Sequence, residues 1–305
     1  MSESTDPSSR EGQRKLPTRR AALGAAALLI SAPARAQIHY AEPSLALKDL
    51  EARTGSRIGV AAVDSGSGRF VSWREGERFI MCSTFKFSLA AAVLSRADAG
   101  TENLGRVIHY SRSDLLDVSP ATTRNLQTGM RVVDLCEAVV LYSDNTAANL
   151  LLSTLNGPQG LTSWWRQIGD TVTRLDRREP ALNLPDGIKD TTTPAAMLGN
   201  LKAVLLGNLL SNASRARLMG WMADSTTGSA MLRAGIPSNW AVGDKTGRWS
   251  STDPSNGATN DIAILTPPGG RPILVAAYTT GGRGDQAGRE SVLADIGRIV
   301  ADRFT

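Results

Sequence analysis

The sequence predicts an α/β fold of the α+β type: one antiparallel five-stranded sheet flanked by helices, with an all-helical part inserted between its strands. Three observations carry this reading. Strand-like segments gather at the two ends of the 305-residue chain, the middle third reads as a run of helices, and the composition, 41% hydrophobic and 21% charged, is that of a globular protein. A chain of this length can bury a large core. Strands from both ends around a helical middle have to meet in one sheet.

The elements follow in order. Residues 1–36 read as a targeting segment: a polar region ends in Thr18-Arg19-Arg20-Ala21-Ala22-Leu23, an apolar stretch follows, and Ala34-Arg35-Ala36 has the small-x-small form of a cleavage site. The apolar stretch is far short of the ~20 residues of a membrane span. The mature chain is therefore expected to start near Gln37, without a membrane anchor, as an exported, periplasmic protein. The paired arginines resemble a twin-arginine signal, with an ordinary secretory signal as the alternative.

Ser44–Arg53 reads as a helix stopped by Gly55. Arg57–Asp64 and Phe70–Trp73 read as strands joined by the turn Asp64-Ser65-Gly66-Ser67-Gly68. Ser83–Ala97 is apolar on most faces, so a buried helix, ended by Gly100. Val132–Tyr142, Thr146–Leu155, Gly160–Ile168, Pro194–Leu206 and Ser214–Ala223 are the helices of the middle. Among them Val172–Thr193 is polar, proline-bearing and without periodicity, and a loop that long in a compact domain is usually functional. Trp240–Lys245, Asp261–Leu265 and Ile273–Thr279 complete the five strands, and Glu290–Phe304 closes the chain as a helix. The expected division is 37–80 with 226–305 as the α/β part and 81–225 as the all-α part.

Composition narrows the function. The net charge of +5 falls to +2 once residues 1–36 are set aside, and no basic block remains in 37–305, so a nucleic-acid partner is not expected. The two cysteines, Cys82 and Cys136, read as small buried hydrophobes rather than a disulfide, although export would permit one. With two histidines, His39 and His109, both read as surface or packing residues, and no G-x-S-x-G, a Ser–His–Asp hydrolase is disfavoured. There is no metal-ligand spacing, phosphate loop or dinucleotide fingerprint, so no metal and no cofactor are expected.

Three short motifs carry chemistry. In Ser83-Thr84-Phe85-Lys86, residues i and i+3 share a helix face, so the Lys86 ammonium can reach the Ser83 hydroxyl. A serine hydroxyl needs an adjacent base, and the first helical turn offers free N–H groups suited to an oxyanion. Such pairs arise on many helices by chance; here the lysine sits on an otherwise apolar helix, where an idle ammonium would be costly. Ser143-Asp144-Asn145 lies between two helices, and taken alone it reads as a helix cap. Lys245-Thr246-Gly247 ends a strand, with Lys245 and Gly247 on one face and Thr246 on the other; taken alone it is a strand running into a glycine turn.

Their order changes the reading: S-x-x-K, S-D-N and K-T-G, with two of only six lysines inside them, resemble class A β-lactamases and penicillin-binding proteins over essentially all of residues 40–305. The implied fold is β-lactamase/transpeptidase-like. Glu179-Pro180-Ala181-Leu182-Asn183 resembles the omega-loop motif of the β-lactamases, which transpeptidases lack. The resemblance implies an omega loop over 174–190, a cis Glu179–Pro180 bond, and an Arg177–Asp190 ion pair at its neck, which as an exposed pair would contribute little. It further implies catalytic roles for Ser83, Lys86, Ser143 and Glu179. Substrate contacts are implied for Asn145, Asn183, Lys245, Thr246, Gly247 and Arg248, the last through its backbone N–H in an oxyanion hole with that of Ser83. The acylation base is Lys86, or Glu179 through water. The expected activity is hydrolysis of β-lactams by a monomer. The alternatives are a D-Ala-D-Ala peptidase or transpeptidase, and a β-lactam receptor domain that acylates once.

The chain departs from the family after K-T-G. Arg248-Trp249 is bulky, and the stretch to Thr259 is long. Where the family places an arginine near the substrate carboxylate, the strand holds Asn260 and the last helix Glu290 beside Arg289. Arg248 either supplies that charge or points to solvent. Trp249 occupies the place of the cysteine that some carbapenemases link to the one before the nucleophile, which precludes that link.

Overall fold

The computed structural model describes residues 42–251, 257–282 and 285–305. The expected targeting segment, the cleavage site and His39 lie outside the described residues. Helix α1 spans Pro43–Thr54 and ends at Gly55, whose φ of 69° supplies the left-handed stop. It is followed by strands β1 (Ser56–Asp64), β2 (Phe70–Trp73) and β3 (Phe79–Ile80), a 3-10 turn over Cys82–Thr84, and α2 (Phe85–Asp98). The middle holds β4 (Val107–Ile108), α3 (Pro120–Arg124), β5 (Met130–Arg131), α4 (Val132–Leu141), α5 (Asn145–Thr154) and α6 (Pro158–Gln167). Then come β6 (Thr191–Thr192), α7 (Pro194–Leu205), α8 (Asn212–Ala223) and α9 (Leu232–Gly235). Strands β7 (Ala241–Trp249), β8 (Ala258–Thr266) and β9 (Ile273–Gly281) and helix α10 (Gln286–Phe304) finish the chain.

The five long strands form one antiparallel sheet in the order β2-β1-β9-β8-β7, so the two ends of the chain meet in it as expected. One face is covered by α1 and α10, where Leu47, Leu50, Val292, Leu293 and Ile296 pack on Ile58, Val60, Ala263 and Val275. The other face meets the helical layer through Ile262, Ile264, Leu274, Ala276 and Tyr278. Helix α2 runs through that layer with Phe85–Leu94 buried without a break, which is why its sequence shows no polar stripe.

The structure departs from the sequence reading chiefly at edges. The last three strands are longer than expected, and β7 continues through Lys245-Thr246-Gly247 to Trp249 instead of turning there. The reason is pairing: Arg248 lies opposite Thr259 and Trp249 opposite Ala258, so the ladder with β8 carries the bulky residues. Two bridges of two residues, β3 with β6 and β4 with β5, rest on contacts distant in sequence and left no local pattern. His109 is exposed, as expected of a surface residue, and both cysteines are free and buried. Among the described residues no helix is long and apolar enough to cross a membrane.

Candidate active site

Strand β7 and the N-terminal end of α2 form one side of the site. Ser83 lies in the 3-10 turn, preceded by Cys82 at φ 45°, a left-handed conformation uncommon outside glycine. The strand passes so close to this turn that only glycine fits at 247. A Cβ there would lie 2.7 Å from Met81 O, 3.0 Å from Ser83 N and 3.1 Å from Cys82 Cβ. This contact brings the backbone of Gly247-Arg248 beside the Ser83 N–H. Trp249, two residues on, packs over Cys82 with Ile80 and Ala258.

Lys86 is wholly buried, and its Nζ lies 2.8 Å from Ser143 O, 2.5 Å from Asn145 Oδ1 and 3.0 Å from Glu179 Oε1. Three oxygen acceptors use all three N–H groups of an ammonium. The hydroxyl of Ser83 donates instead to Glu179 Oε1, at 3.5 Å. The direct Lys86–Ser83 hydrogen bond expected from i,i+3 spacing does not form, because the ammonium is drawn into the oxygen cluster of the α4–α5 connection and Glu179.

Ser143 sits at φ 60° between α4 and α5 and turns its Oγ toward two cations, 3.4 Å from Lys86 Nζ and 3.2 Å from Lys245 Nζ. The middle residue of the motif is the cap: Asp144 Oδ1 accepts from Ala147 N at 2.8 Å, and its buried carboxylate also takes Ala121 N, Thr122 N and Thr122 Oγ1. The cap thus falls on the middle residue of the tripeptide, while its neighbours Ser143 and Asn145 turn to the lysines. Asn145 gives Oδ1 to Lys86 and donates from Nδ2 to Asp117 O at 2.9 Å.

Glu179 is 4% exposed and Asn183 8%. Asn183 Nδ2 donates to Glu179 Oε2 at 2.7 Å, while Asn183 Oδ1 is buried with no protein partner. The Glu179–Pro180 peptide is cis. Asn149, which the sequence reading missed, clamps the Glu179 backbone from both sides: its Oδ1 accepts from Glu179 N at 3.0 Å and its Nδ2 donates to Glu179 O at 2.9 Å. The signal was present, since Asn145 and Asn149 are i,i+4 on one helix face. At the loop's neck Arg177 Nε donates to Asp190 Oδ2 at 2.6 Å, and Asp190 Oδ1 accepts from the N–H groups of Asp176 and Arg177. The pair is not the exposed one expected: Asp190 is fully buried and also holds the N–H groups of Asp176 and Arg177, so the premise of an exposed pair is corrected.

Lys245 is fully buried, with Nζ 2.7 Å from Thr246 O. Burial, and after it the charge of Lys86, lowers its pKa from the ordinary lysine value to about 7. On the opposite face of β7, Thr246 Oγ1 lies 2.7 Å from Thr227 Oγ1. Arg248 extends along that same face, with Nε 2.9 Å from Glu290 Oε1 and Nη2 2.7 Å from Thr227 O. Asn260, where the resemblance placed a cation, is buried and donates to Ile80 O and Met81 O, tying β8 to the turn that carries Ser83. Thr227 left no mark in the sequence reading, because it acts through partners remote in the chain, and Asn260 was noted for the missing cation and not for its ties to Ile80 and Met81. Among the described residues no group of His, Cys, Asp or Glu is arranged to hold a metal.

Comparison with known proteins agrees with this geometry. The model of the β-lactamase enzyme family matches residues 42–304. The chain is 43% identical over 264 residues to β-lactamase AST-1 of Nocardia asteroides, covering 86% of this chain and 83% of that one. It is 43% identical over 258 residues to β-lactamase OXY-1 of Klebsiella oxytoca, covering 84% and 87%. Among solved structures, an ancestral (GNCA) class A β-lactamase superposes with a TM-score of 0.83 at 51% identity, covering 86% of this chain and 100% of the other. A class A β-lactamase described as putative, PenP from Rhodopseudomonas palustris, gives 0.82 at 45% identity, covering 86% and 99%.

Proposed function

The chain belongs to the class A β-lactamase family and hydrolyses β-lactams, and we propose that it does so through an acyl-enzyme on Ser83 that Glu179 and Asn183 clear with water. One observation carries the proposal: Glu179 Oε1 faces both Ser83 Oγ and Lys86 Nζ while Asn183 grips Oε2.

In the first half-reaction Ser83 Oγ attacks the ring carbonyl, forming the C–O bond as the ring C–N bond breaks. Its proton leaves toward Glu179, because the Lys86 ammonium is already committed to three oxygens. The carbonyl oxygen becomes an oxyanion between the backbone N–H groups of Ser83 and Arg248, a role supported by the close approach at Gly247. Ser143, bridging the two lysines, passes a proton to the departing ring nitrogen and is reprotonated from Glu179 by way of Lys86, which returns Glu179 to its carboxylate form. Lys245 and Thr246 face the substrate carboxylate, and Asn145 retains one amide N–H for the acylamide chain. In the second half-reaction Glu179 takes a proton from water as its oxygen bonds to the ester carbon, Asn183 Oδ1 offering that water a buried acceptor; the bond to Ser83 Oγ then breaks, and Glu179 returns the proton to Ser83.

Residues 37–80 with 226–305 act as the α/β part and 81–225 as the helical part, with loop 174–190 carrying the deacylating pair. The mature protein works as a periplasmic monomer on small β-lactams, without cofactor or nucleic acid, after residues 1–36 are removed on a twin-arginine or ordinary secretory route.

The test is stoichiometry. The purified protein is mixed with a chromogenic cephalosporin, and rings opened are counted per molecule. Many rings per molecule are expected, and Glu179→Ala should stop near one ring with the adduct mass on Ser83. A wild type that stops after one ring would make the chain a penicillin-binding or receptor protein. Wild-type turnover in the alanine variant would remove Glu179 from the mechanism.

A further inference from the structure

We propose that Glu290 is a built-in competitor for the substrate's carboxylate: it occupies the Arg248 guanidinium at the mouth of the site, and the pair sets how strongly the enzyme prefers anionic over neutral β-lactams. This deepens the β-lactamase reading above and rests on it.

The argument starts from alternation along β7, which puts Asp244, Thr246 and Arg248 on one face. Thr227 lies across from that face and engages two of the three, its hydroxyl with Thr246 Oγ1 at 2.7 Å and its carbonyl with Arg248 Nη2 at 2.7 Å. The guanidinium is thereby fixed beside the Thr246 hydroxyl, next to the residue whose Nζ reaches Ser143 Oγ. Two of its five N–H groups go to Thr227 O and Glu290 Oε1, and its side chain is 34% exposed. A planar fork with donors to spare, half open to solvent, suits a carboxylate.

Among the described residues, neither Asn260 nor Arg289 brings an exposed cation to this rim. Asn260 is buried and spends its amide on Ile80, Met81 and Thr279. Arg289 is 7% exposed, lies under Gly257 and donates to Gln286 Oε1. Among the described residues, Arg248 is left as the partly exposed guanidinium beside Thr246 on β7.

Glu290 is built in rather than adventitious. The first turns of α10 hold it: Gln286 Nε2 donates to the same Oε1 at 3.0 Å, and Gln286 Oε1 lies 3.2 Å from Ser250 Oγ at the end of β7. An anionic substrate therefore meets a guanidinium already half neutralised and must share it or take it over, whereas a neutral substrate meets no such competition.

The experiment compares one chromogenic cephalosporin as free acid and as neutral methyl ester, reading the acid-to-ester ratio of kcat/KM in wild type, Arg248→Ala and Glu290→Gln. Thermal unfolding checks that each variant is folded. The ratio should fall about tenfold in Arg248→Ala, the scale of one lost hydrogen bond to a charged group. It should rise about threefold in Glu290→Gln, as expected for a half-exposed ion pair, and 1 M salt should erase that rise. A ratio that stays constant across the variants would make the pair a strap between α10 and β7 and overturn the proposal. A ratio that falls in Glu290→Gln would overturn the competition, leaving Glu290 only to position Arg248. Should Arg248→Ala fail to fold, the near-isosteric Glu290→Gln carries the test alone. Wild type that turns over neither form would instead sink the β-lactamase reading.

Discussion

Replacing Asp144 by alanine separates the structural from the chemical part of Ser143-Asp144-Asn145. The carboxylate, fully buried, accepts from Ala147 N at 2.8 Å, from Ala121 N and Thr122 N at 3.0 Å each, and from Thr122 Oγ1 at 2.9 Å. It thereby joins the first turn of α5 to that of α3, where unpaired N–H groups and the positive ends of two helices favour an anion. Alanine strands four buried donors, and each costs about 1–3 kcal/mol, which brackets the loss between about 4 and about 12 kcal/mol. Two effects pull toward the lower bound. Water can enter the space the carboxylate leaves, and the cost of burying the carboxylate disappears with it. The expected loss is about 4 kcal/mol, most of the margin of a domain stable by about 5–15 kcal/mol. Denaturant unfolding with linear extrapolation measures it. Asp144→Asn keeps one acceptor oxygen and should lose about half as much. Turnover should fall as well at temperatures where the alanine variant is folded, because Ser143 is held at φ 60° directly before this cap. A loss below about 1 kcal/mol with normal turnover would refute the reasoning.

Three further perturbations bear on the site. Gly247→Ala puts a Cβ 2.7 Å from Met81 O, so β7 must lift off the nucleophile turn; kcat should drop about a hundredfold, the cost of one misplaced oxyanion donor, and a kcat within threefold of wild type would refute it. Because Lys245 is held at about 7, it is charged below that pH and loses its charge above it; kcat/KM for an anionic substrate should decline as pH rises past about 7. In Lys245→Arg, whose charge persists across the range, the residual activity should lack that limb, and an unmoved profile would assign the limb to another group. Between about 7 and the ordinary lysine pKa the native state binds fewer protons here than the unfolded chain, so this residue makes stability rise with pH in that window. Asp190→Asn turns an amide NH2 toward donors that a carboxylate now satisfies; loosening the loop by about 2 kcal/mol should cut turnover at least about tenfold while Tm moves little, and kcat within twofold of wild type would count against the neck.

What the sequence made legible was the order of the motifs and the periodicity of the long elements. S-x-x-K, S-D-N and K-T-G each have a bland explanation, and the structure realises one of them: Asp144 is a helix cap. Their co-occurrence pointed to one place in the fold, where Ser143 lies beside Lys86 and Lys245 and Ser83 meets Glu179, the partner of Lys86. Illegible were features set by backbone conformation or by partners far along the chain. Positive φ at Cys82 and Ser143 has no sequence mark when the residue is not glycine or asparagine. The direct Lys86–Ser83 contact was read from helical spacing, which ignores the oxygens that Ser143, Asn145 and Glu179 bring from elsewhere. The neck pair was taken as exposed because charge spacing says nothing of burial, and Asp190 is fully buried.

Strand β7 holds one end of its register more firmly than the other. Its alternation divides two tasks between two faces. Lys245, Gly247 and Trp249 look toward the nucleophile turn, where Gly247 sets the approach to Ser83 N and Trp249 covers Cys82. Asp244, Thr246 and Arg248 look the other way, to Arg233, Thr227 and Glu290. Beneath them Asp244 and Asp261 are fully buried, and burial raises the pKa of both, further for Asp261, where the neighbouring Asp244 adds to it. Arg233 anchors the first and Leu232 N the second, so α9 pins the strand from below. A slip of one residue would exchange the faces, turning Lys245 toward Arg233 and Thr246 toward Ser83. Register is therefore fixed at the buried end, while at the other end, among the described residues, the side chains of Arg248 and Trp249 meet Thr227, Glu290 and the small cluster around Cys82. Substitutions at Arg248 and Trp249 should therefore leave Lys245 in place and change substrate preference before they abolish turnover, which kcat/KM across several β-lactams would measure.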